Sequence, residues 1–263
     1  MFMTLRPFDC RSRLPGCFLV LFAVQLTSAC AAIINQSGSP QAEFAVQELR
    51  SVVSGQEQLD ISLSIDERLG EQAYLIVCES GDAIQVRGGD AAGLMYGGLE
   101  LAERIKLQGL SALPGRIENQ PYIKKRGLKF NIPLDVRTPS YQDAGEAAQN
   151  NIAEMWNFDF WRQYLDMMAR NRYNVLTLWN PHPFPSMIKL DAYPDIALDH
   201  VCGTSFQLDT DREDEPDAEF IAGCGVSKQV MDNLIILKEM SIDEKIAYWQ
   251  RVMRYAKHRG VEI

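Results

Sequence analysis

Tyr122-Ile123-Lys124-Lys125-Arg126-Gly127-Leu128-Lys129-Phe130-Asn131-Ile132 opens the stretch that decides the fold, and Val175-Leu176-Thr177-Leu178-Trp179-Asn180-Pro181-His182 closes it. The first piece reads as a buried strand around Lys129 to Ile132. Between the two, Phe160 to Arg172 sets Trp161, Tyr164, Leu165 and Met168 at the spacing of a helix with one buried face. Val175 to Trp179 reads as a second buried strand, ended abruptly by Asn180-Pro181-His182-Pro183. Strand, crossover helix and strand make a βαβ unit, and ligands of such units collect beyond the C-terminal strand ends.

Between the two strands, Pro133 to Asn151 is expected as a polar loop carrying Asp135, Arg137 and Tyr141. A long irregular region is expected beyond His182, with its prolines and the acidic run Asp209 to Asp217. Ser241-Ile242-Asp243-Glu244 is a capping box. The helix it opens is expected to bury Ile246, Trp249, Val252, Met253 and Ala256, to end at Arg259-Gly260, and to lead into a third strand at Val261-Glu262-Ile263. A chain stopping at the start of a buried strand reads as truncated.

Upstream, Ala32-Ile33-Ile34 suggests a short strand, and Ser39-Pro40 an N-cap followed by proline at the first helical position. Leu59, Ile61, Leu63 and Ile65 alternate with polar residues, as in a half-buried strand. Tyr74 to Cys78 and Ala83 to Arg87 read as a strand pair around a turn at Glu79 to Asp82. Ala91 to Leu107 looks helical, weakened by Gly93, Gly97 and Gly98. Residues 31–118 therefore read as a small α+β domain of about three or four strands. Ser111 to Gln120 reads as a linker, and 119–263 as a second domain.

The first thirty residues read as an export leader. Arg6, Arg11 and Arg13 precede the apolar run Leu14 to Leu26, which is too short to span a bilayer comfortably. Ala29-Cys30-Ala31 fits a cleavage site. Leu26 to Cys30 also fits a degenerate lipobox with Cys30 lipidated, which would attach the protein to a membrane; an uncleaved anchor is the third option. Export implies the periplasm, the outer-membrane surface or the extracellular space. A formal charge of −9 with no basic patch argues against nucleic-acid binding. Cys202 and Cys224 flank one polar loop and are candidates for a disulfide, while Cys78 fits an inert core thiol.

The 263 residues contain three histidines, none paired at metal-ligand spacing, and no CxxC, so neither a metal nor a cofactor is expected. Asp209, Asp211 and Glu213 begin like a calcium loop, but Asp214 stands where that loop needs glycine. Gly88-Gly89-Asp90-Ala91-Ala92-Gly93 lacks dinucleotide spacing and reads as a tight turn. The substrate-binding candidates are Asp135, Arg137, Trp179, Asn180 and His182, all just beyond strand ends. An indole stacks on the apolar face of a sugar, and amide, imidazole and guanidinium groups bond hydroxyls. The competing reading makes Trp179 and Asn180 a structural corner, and Asp135 with Arg137 a surface ion pair.

Three stretches together resemble the β-N-acetylhexosaminidase-like glycoside hydrolases and their α-glucuronidase-like relatives. They are Tyr74-Leu75-Ile76-Val77 through Ile84-Gln85-Val86-Arg87-Gly88-Gly89-Asp90-Ala91-Ala92-Gly93-Leu94-Met95-Tyr96-Gly97, then Lys125-Arg126-Gly127-Leu128, then Tyr255 to Ile263. The resemblance implies a zincin-like α+β domain, a label of fold that implies no metal, followed by the N-terminal part of a (β/α)8 TIM barrel. It implies an exported enzyme that hydrolyses glycosidic bonds with paired carboxylates on a carbohydrate substrate. That pair belongs to the fourth strand end, so no catalytic residue is expected within this chain; they are expected beyond Ile263. Asn131 and Leu134 stand where the hexosaminidases carry an aspartate and a sugar-gripping arginine, so Arg137 is a displaced candidate and N-acetylhexosamine specificity is not implied. The rival reading is a non-catalytic carbohydrate-binding or surface lipoprotein that kept the sugar edge.

Overall fold

The computed structural model describes residues 31–55, 59–80, 82–138, 146–180, 182–207, 221–222 and 225–263. The leader with Cys30, Tyr141, Pro181, the run 209–217 and Cys224 lie outside them. Among the described residues no helix is long and apolar enough to cross a membrane.

The chain begins with β1 (Ala32–Asn35), α1 (Pro40–Val52), β2 (Asp60–Ile65), β3 (Tyr74–Ser80), β4 (Ala83–Gly88), α2 (Ala91–Gln108) and β5 (Arg116–Asn119). The strands form one sheet in the order β1-β2-β4-β3-β5. β1, β2 and β4 run parallel, and β3 runs antiparallel to both of its neighbours. Ser39 caps α1 by accepting a hydrogen bond from the Ala42 amide, with Pro40 at the first helical position. Asp90 caps α2 in the same way, accepting from Gly93 N at 2.7 Å. The apolar face of the sheet (Ile61, Leu63, Ile76, Ile84 and Val86) packs with Ala45, Leu49, Leu94 and Leu101 of the two helices.

Two expectations change here. The stretch 111–120, expected as a linker, contains β5, because Arg116 to Asn119 pair with Val77 to Tyr74 and cover that edge. The sheet thus has five strands, and residue 118 falls within one of them. The glycines that weakened α2 are its packing contacts. A Cβ on Gly97 would lie 2.8 Å from Val86 Cγ1 and 2.9 Å from Tyr74 Cβ, and one on Gly93 would lie 2.2 Å from Ala73 O. Their local cost to the helix is offset by close helix–sheet approach.

β6 (Gly127–Asn131) follows, then α3 (Glu146–Met155), α4 (Phe158–Arg170) and β7 (Val175–Trp179). β6 and β7 pair in parallel from Gly127↔Val175 to Asn131↔Trp179. A parallel bridge, Val175↔Glu262, sets the start of a third strand beside β7. The expected strand–helix–strand unit is present, with α4 starting earlier than expected at the Asn157 cap. α3 lies where only a polar loop was expected; its Ile152 and Met155 are buried.

Beyond β7 come α5 (Phe184–Met187), β8 (Val201–Thr204), β9 (Ile221–Ala222), β10 (Gly225–Val226), α6 (Lys228–Asp232), β11 (Leu234–Lys238) and α7 (Ile242–His258). The region expected to be irregular therefore holds an antiparallel β8–β11 pair. The capping box forms as expected, with Ser241 and Glu244 each bonding the other's backbone. The buried face of α7 differs: Lys245, Tyr248, Trp249, Val252 and Ala256 are inside, whereas Met253 is exposed.

The molecule is a mixed α/β protein with several sheets and no closed barrel among the described residues. Arg126 ties the two parts together. Its Nε donates to Arg172 O at 2.7 Å, and its Nη2 to Gln72 Oε1 at 2.9 Å and the Tyr96 hydroxyl at 3.2 Å. Arg170 adds a two-pronged contact to Glu48 at 2.9 and 3.0 Å.

Candidate functional site

Side chains alternate across a strand pair, so β6 and β7 present two faces. Phe130 faces α4, with ring centres 5.6 to 6.1 Å from Phe160, Trp161 and Tyr164. Leu176 is buried on that same side. The opposite face carries Lys129, Asn131, Thr177 and Trp179, of which Lys129 and Thr177 are exposed. Lys129 Nζ sits 5.2 Å from the centre of the Trp179 ring. An ammonium over an indole face is attracted by the ring quadrupole. This polar and aromatic face leads directly to the strand ends.

There the chain is cross-tied. Ile132 N donates to Trp179 O at 3.0 Å, and Asn180 Nδ2 donates to Ile132 O at 2.7 Å. The other end of the amide, Asn180 Oδ1, accepts from His182 N at 2.7 Å. Asn180 thus spends both ends of its amide on the corner that joins the two strand ends. His182 is exposed beside it. A cavity of about 430 Å³ opens next to the corner, with Ile132, Leu178, Asn180 and Met187 in its wall. The structure brings Trp179, Asn180 and His182 together with Lys129.

Asp135 and Arg137 form a second, interior group. The Asp135 carboxylate is fully buried. It accepts from Arg137 Nε at 2.7 Å, Arg137 Nη2 at 2.8 Å, Arg137 N at 3.0 Å and Cys202 N at 3.0 Å. Arg137 also donates to Asp199 O and His200 O at 2.9 and 3.0 Å. Bidentate pairing with Asp135 holds the Arg137 pKa above its ordinary value. Neither the surface pair nor the open sugar contact describes this geometry: Asp135 is a buried anchor between the segment after β6 and β8. Cys202 is a buried free thiol whose pKa is raised by burial, and its expected partner Cys224 lies outside the described residues.

Lys245 completes the interior group. It is entirely buried, and its Nζ lies 3.9 Å from Asp135 Oδ2 and 5.3 Å from the Trp156 ring centre. Burial pushes its pKa down to about 8, against the pull of Asp135. Among the described residues no group of His, Cys, Asp or Glu is arranged to hold a metal ion.

No family model and no curated protein matches the sequence. Among solved structures, a GH138 enzyme targeting pectin rhamnogalacturonan II superposes with a TM-score of 0.58 at 18% identity, over 88% of this chain and 23% of that one. The fold is glycoside hydrolase-like. A glycoside hydrolase family 20 β-N-acetylglucosaminidase gives 0.45 at 16% identity, over 90% of this chain and 39% of its own. The exo-β-N-acetylglucosaminidase of that family from Vibrio harveyi gives 0.46 at 12%, over 90% and 32%. This chain spans well under half the length of each.

Two residues of these groups were missed in the sequence. Lys129 had a signal, since it alternates with Leu128 and Phe130 and shares the parity of Thr177 and Trp179 across the pair. Lys245 had one too: 245, 248, 249, 252 and 256 form an unbroken helical stripe. An apolar periodicity passes over a lysine whatever its position on the stripe.

Proposed function

We propose that this chain supplies the small α+β domain, ending with β5, and the first strands of the (β/α)8 barrel of an exported glycoside hydrolase, and with them part of its saccharide-binding edge. The barrel assignment is supported by the parallel β6–α4–β7 unit and by the third parallel strand begun at Glu262. The hydrolytic step is cleavage of a glycosidic bond by paired carboxylates. We assign that pair to strand ends beyond Ile263, in keeping with the 23% of the GH138 enzyme that the chain covers. Export by the leader, with or without lipidation at Cys30, is part of the same proposal, and cell fractionation of the product tests it.

The observation that carries the reading is Lys129 poised over Trp179 on the polar face of the strand pair, 5.2 Å from the ring centre, beside the Asn180–His182 corner. An indole offers a platform to the apolar face of a sugar ring, and the ammonium beside it favours an acidic sugar. Asp135 and Arg137 act from behind, by holding the segment that runs from Ile132. The test is tryptophan emission of the full chain titrated with acidic oligosaccharides. Trp156, Trp161 and Trp249 are buried, so Trp179 is the reporter. A saturable change that Trp179→Phe abolishes is expected. No change with any saccharide, in a folded protein, would overturn the reading. Saturable binding with no hydrolysis by the complete gene product would move the protein to the carbohydrate-binding class.

A further inference from the structure

Lys245 lies in the second turn of α7 with no part of it exposed, and its Nζ has no hydrogen-bond partner among the described residues. The nearest anion, Asp135 Oδ2, is 3.9 Å away and already accepts from Arg137 Nη2 and Cys202 N. The other neighbour, the Trp156 ring, offers only a cation–π contact. A buried ammonium lacking hydrogen bonds is costly, and a shared carboxylate repays only part of that cost.

Charged groups face Lys245 from several elements. The segment after β6 contributes Asp135 and Arg137. The residues leading into β8 contribute Asp199, and β8 contributes Cys202, a thiol. From β11, Lys238 donates to Trp156 O at 2.8 Å and lies over the Tyr248 ring. With Lys245 protonated, Asp135 faces two buried or half-buried cations, Arg137 and Lys245. With Lys245 neutral, the Asp135–Arg137 pair is balanced.

We propose that Lys245 is a proton-sensitive joint: its neutral amine keeps the start of α7 closed on the 132–138 segment and β8, and its protonated form drives that contact to open so that the ammonium can be hydrated. The sign follows from linkage. Opening restores the ordinary lysine affinity for a proton, so the open state binds more protons and gains population as pH falls. The lowered pKa of Lys245 agrees in direction. The joint holds the segment that leads to the Asn180 corner, yet the proposal is independent of the carbohydrate reading and its test contains no saccharide.

The experiment is native-state hydrogen exchange on the full chain. The Cys202 amide bonds to Asp135 across the joint, and the Val136 amide bonds to Cys202 O. Their protection, normalised to amides of the five-stranded sheet, is expected to rise roughly tenfold between pH 7 and 9. In Lys245→Met the ratio is expected to be flat. In parallel, ¹³Cε-lysine NMR of the native protein is expected to place Lys245 well below the other lysines. A pH-independent protection ratio in the native protein, or a Lys245 midpoint level with exposed lysines, would overturn the proposal. The second reading needs no variant and stands even if Lys245→Met fails to fold.

Discussion

Beneath the five-stranded sheet the buried side chains are mostly aliphatic, from Ala45, Leu49, Ile61 and Leu63 to Ile76, Val86, Leu94 and Leu101. Behind β6 and β7 aliphatic side chains such as Leu134, Leu165 and Val252 are joined by Trp156, Trp161, Trp249 and Tyr248, with Asp135 and Lys245 buried alongside. Aliphatic packing is non-directional and asks only for volume. A buried indole also carries a directional N–H donor; Trp249 Nε1 has no partner among the described residues, whereas the other two do. Trp156 Nε1 donates to Leu134 O at 2.8 Å, and Trp161 Nε1 to Met155 O at 2.9 Å. Those bonds pin the segments around them, including the one that runs from Ile132 to Asp135. The first core is a support, and the second orients loops at strand ends.

The sharpest way to break this contrast is Asp135→Ala. It strands the Arg137 guanidinium without its carboxylate, and the expected loss is about 3–5 kcal/mol by denaturant unfolding. A loss no larger than that of a surface substitution would show that the second core does not depend on its charge cluster. Arg126→Ala probes the join between the two cores. Losing its bonds to Gln72, Tyr96 and Arg172 O is expected to cost about 1.5–3 kcal/mol and to separate unfolding into two transitions, followed by calorimetry. A single transition of unchanged midpoint would mean that the seam is held elsewhere, with Arg170–Glu48 and Arg172–Glu100 among the remaining contacts.

The contrast also explains what the sequence disclosed. Strands β2, β4 and β7 and helix α1 follow simple periodicities and well-placed caps, because each buries one regular apolar face. β5 was hidden in Arg116-Ile117-Glu118-Asn119, whose short polar pattern matches an exposed edge as well as a linker. α3 and the β8–β11 pair were hidden because their burial comes from long-range contacts, such as Asp135 with Cys202, rather than from local pattern. At the candidate site, Trp179, Asn180 and His182 were legible as an abrupt aromatic and polar strand end. The ion pair of Asp135 and Arg137 was legible as a pair. Its burial was not, since it depends on β8 closing over it from 67 positions away. Met253 faces solvent for a related reason: the buried stripe of α7 runs through Lys245 and Tyr248, which rotates Met253 outward.

The most direct test of the proposed saccharide edge is calorimetric titration of the full chain with an acidic oligosaccharide and with its carboxyl-reduced neutral counterpart. Lys129 is exposed, so Lys129→Met is expected to leave stability within about 0.5 kcal/mol of the native protein. The account predicts roughly tenfold tighter binding of the acidic form, at least at low ionic strength, with that preference erased by Lys129→Met while neutral binding persists. Equal affinity for both forms, or a preference that survives Lys129→Met, would contradict it.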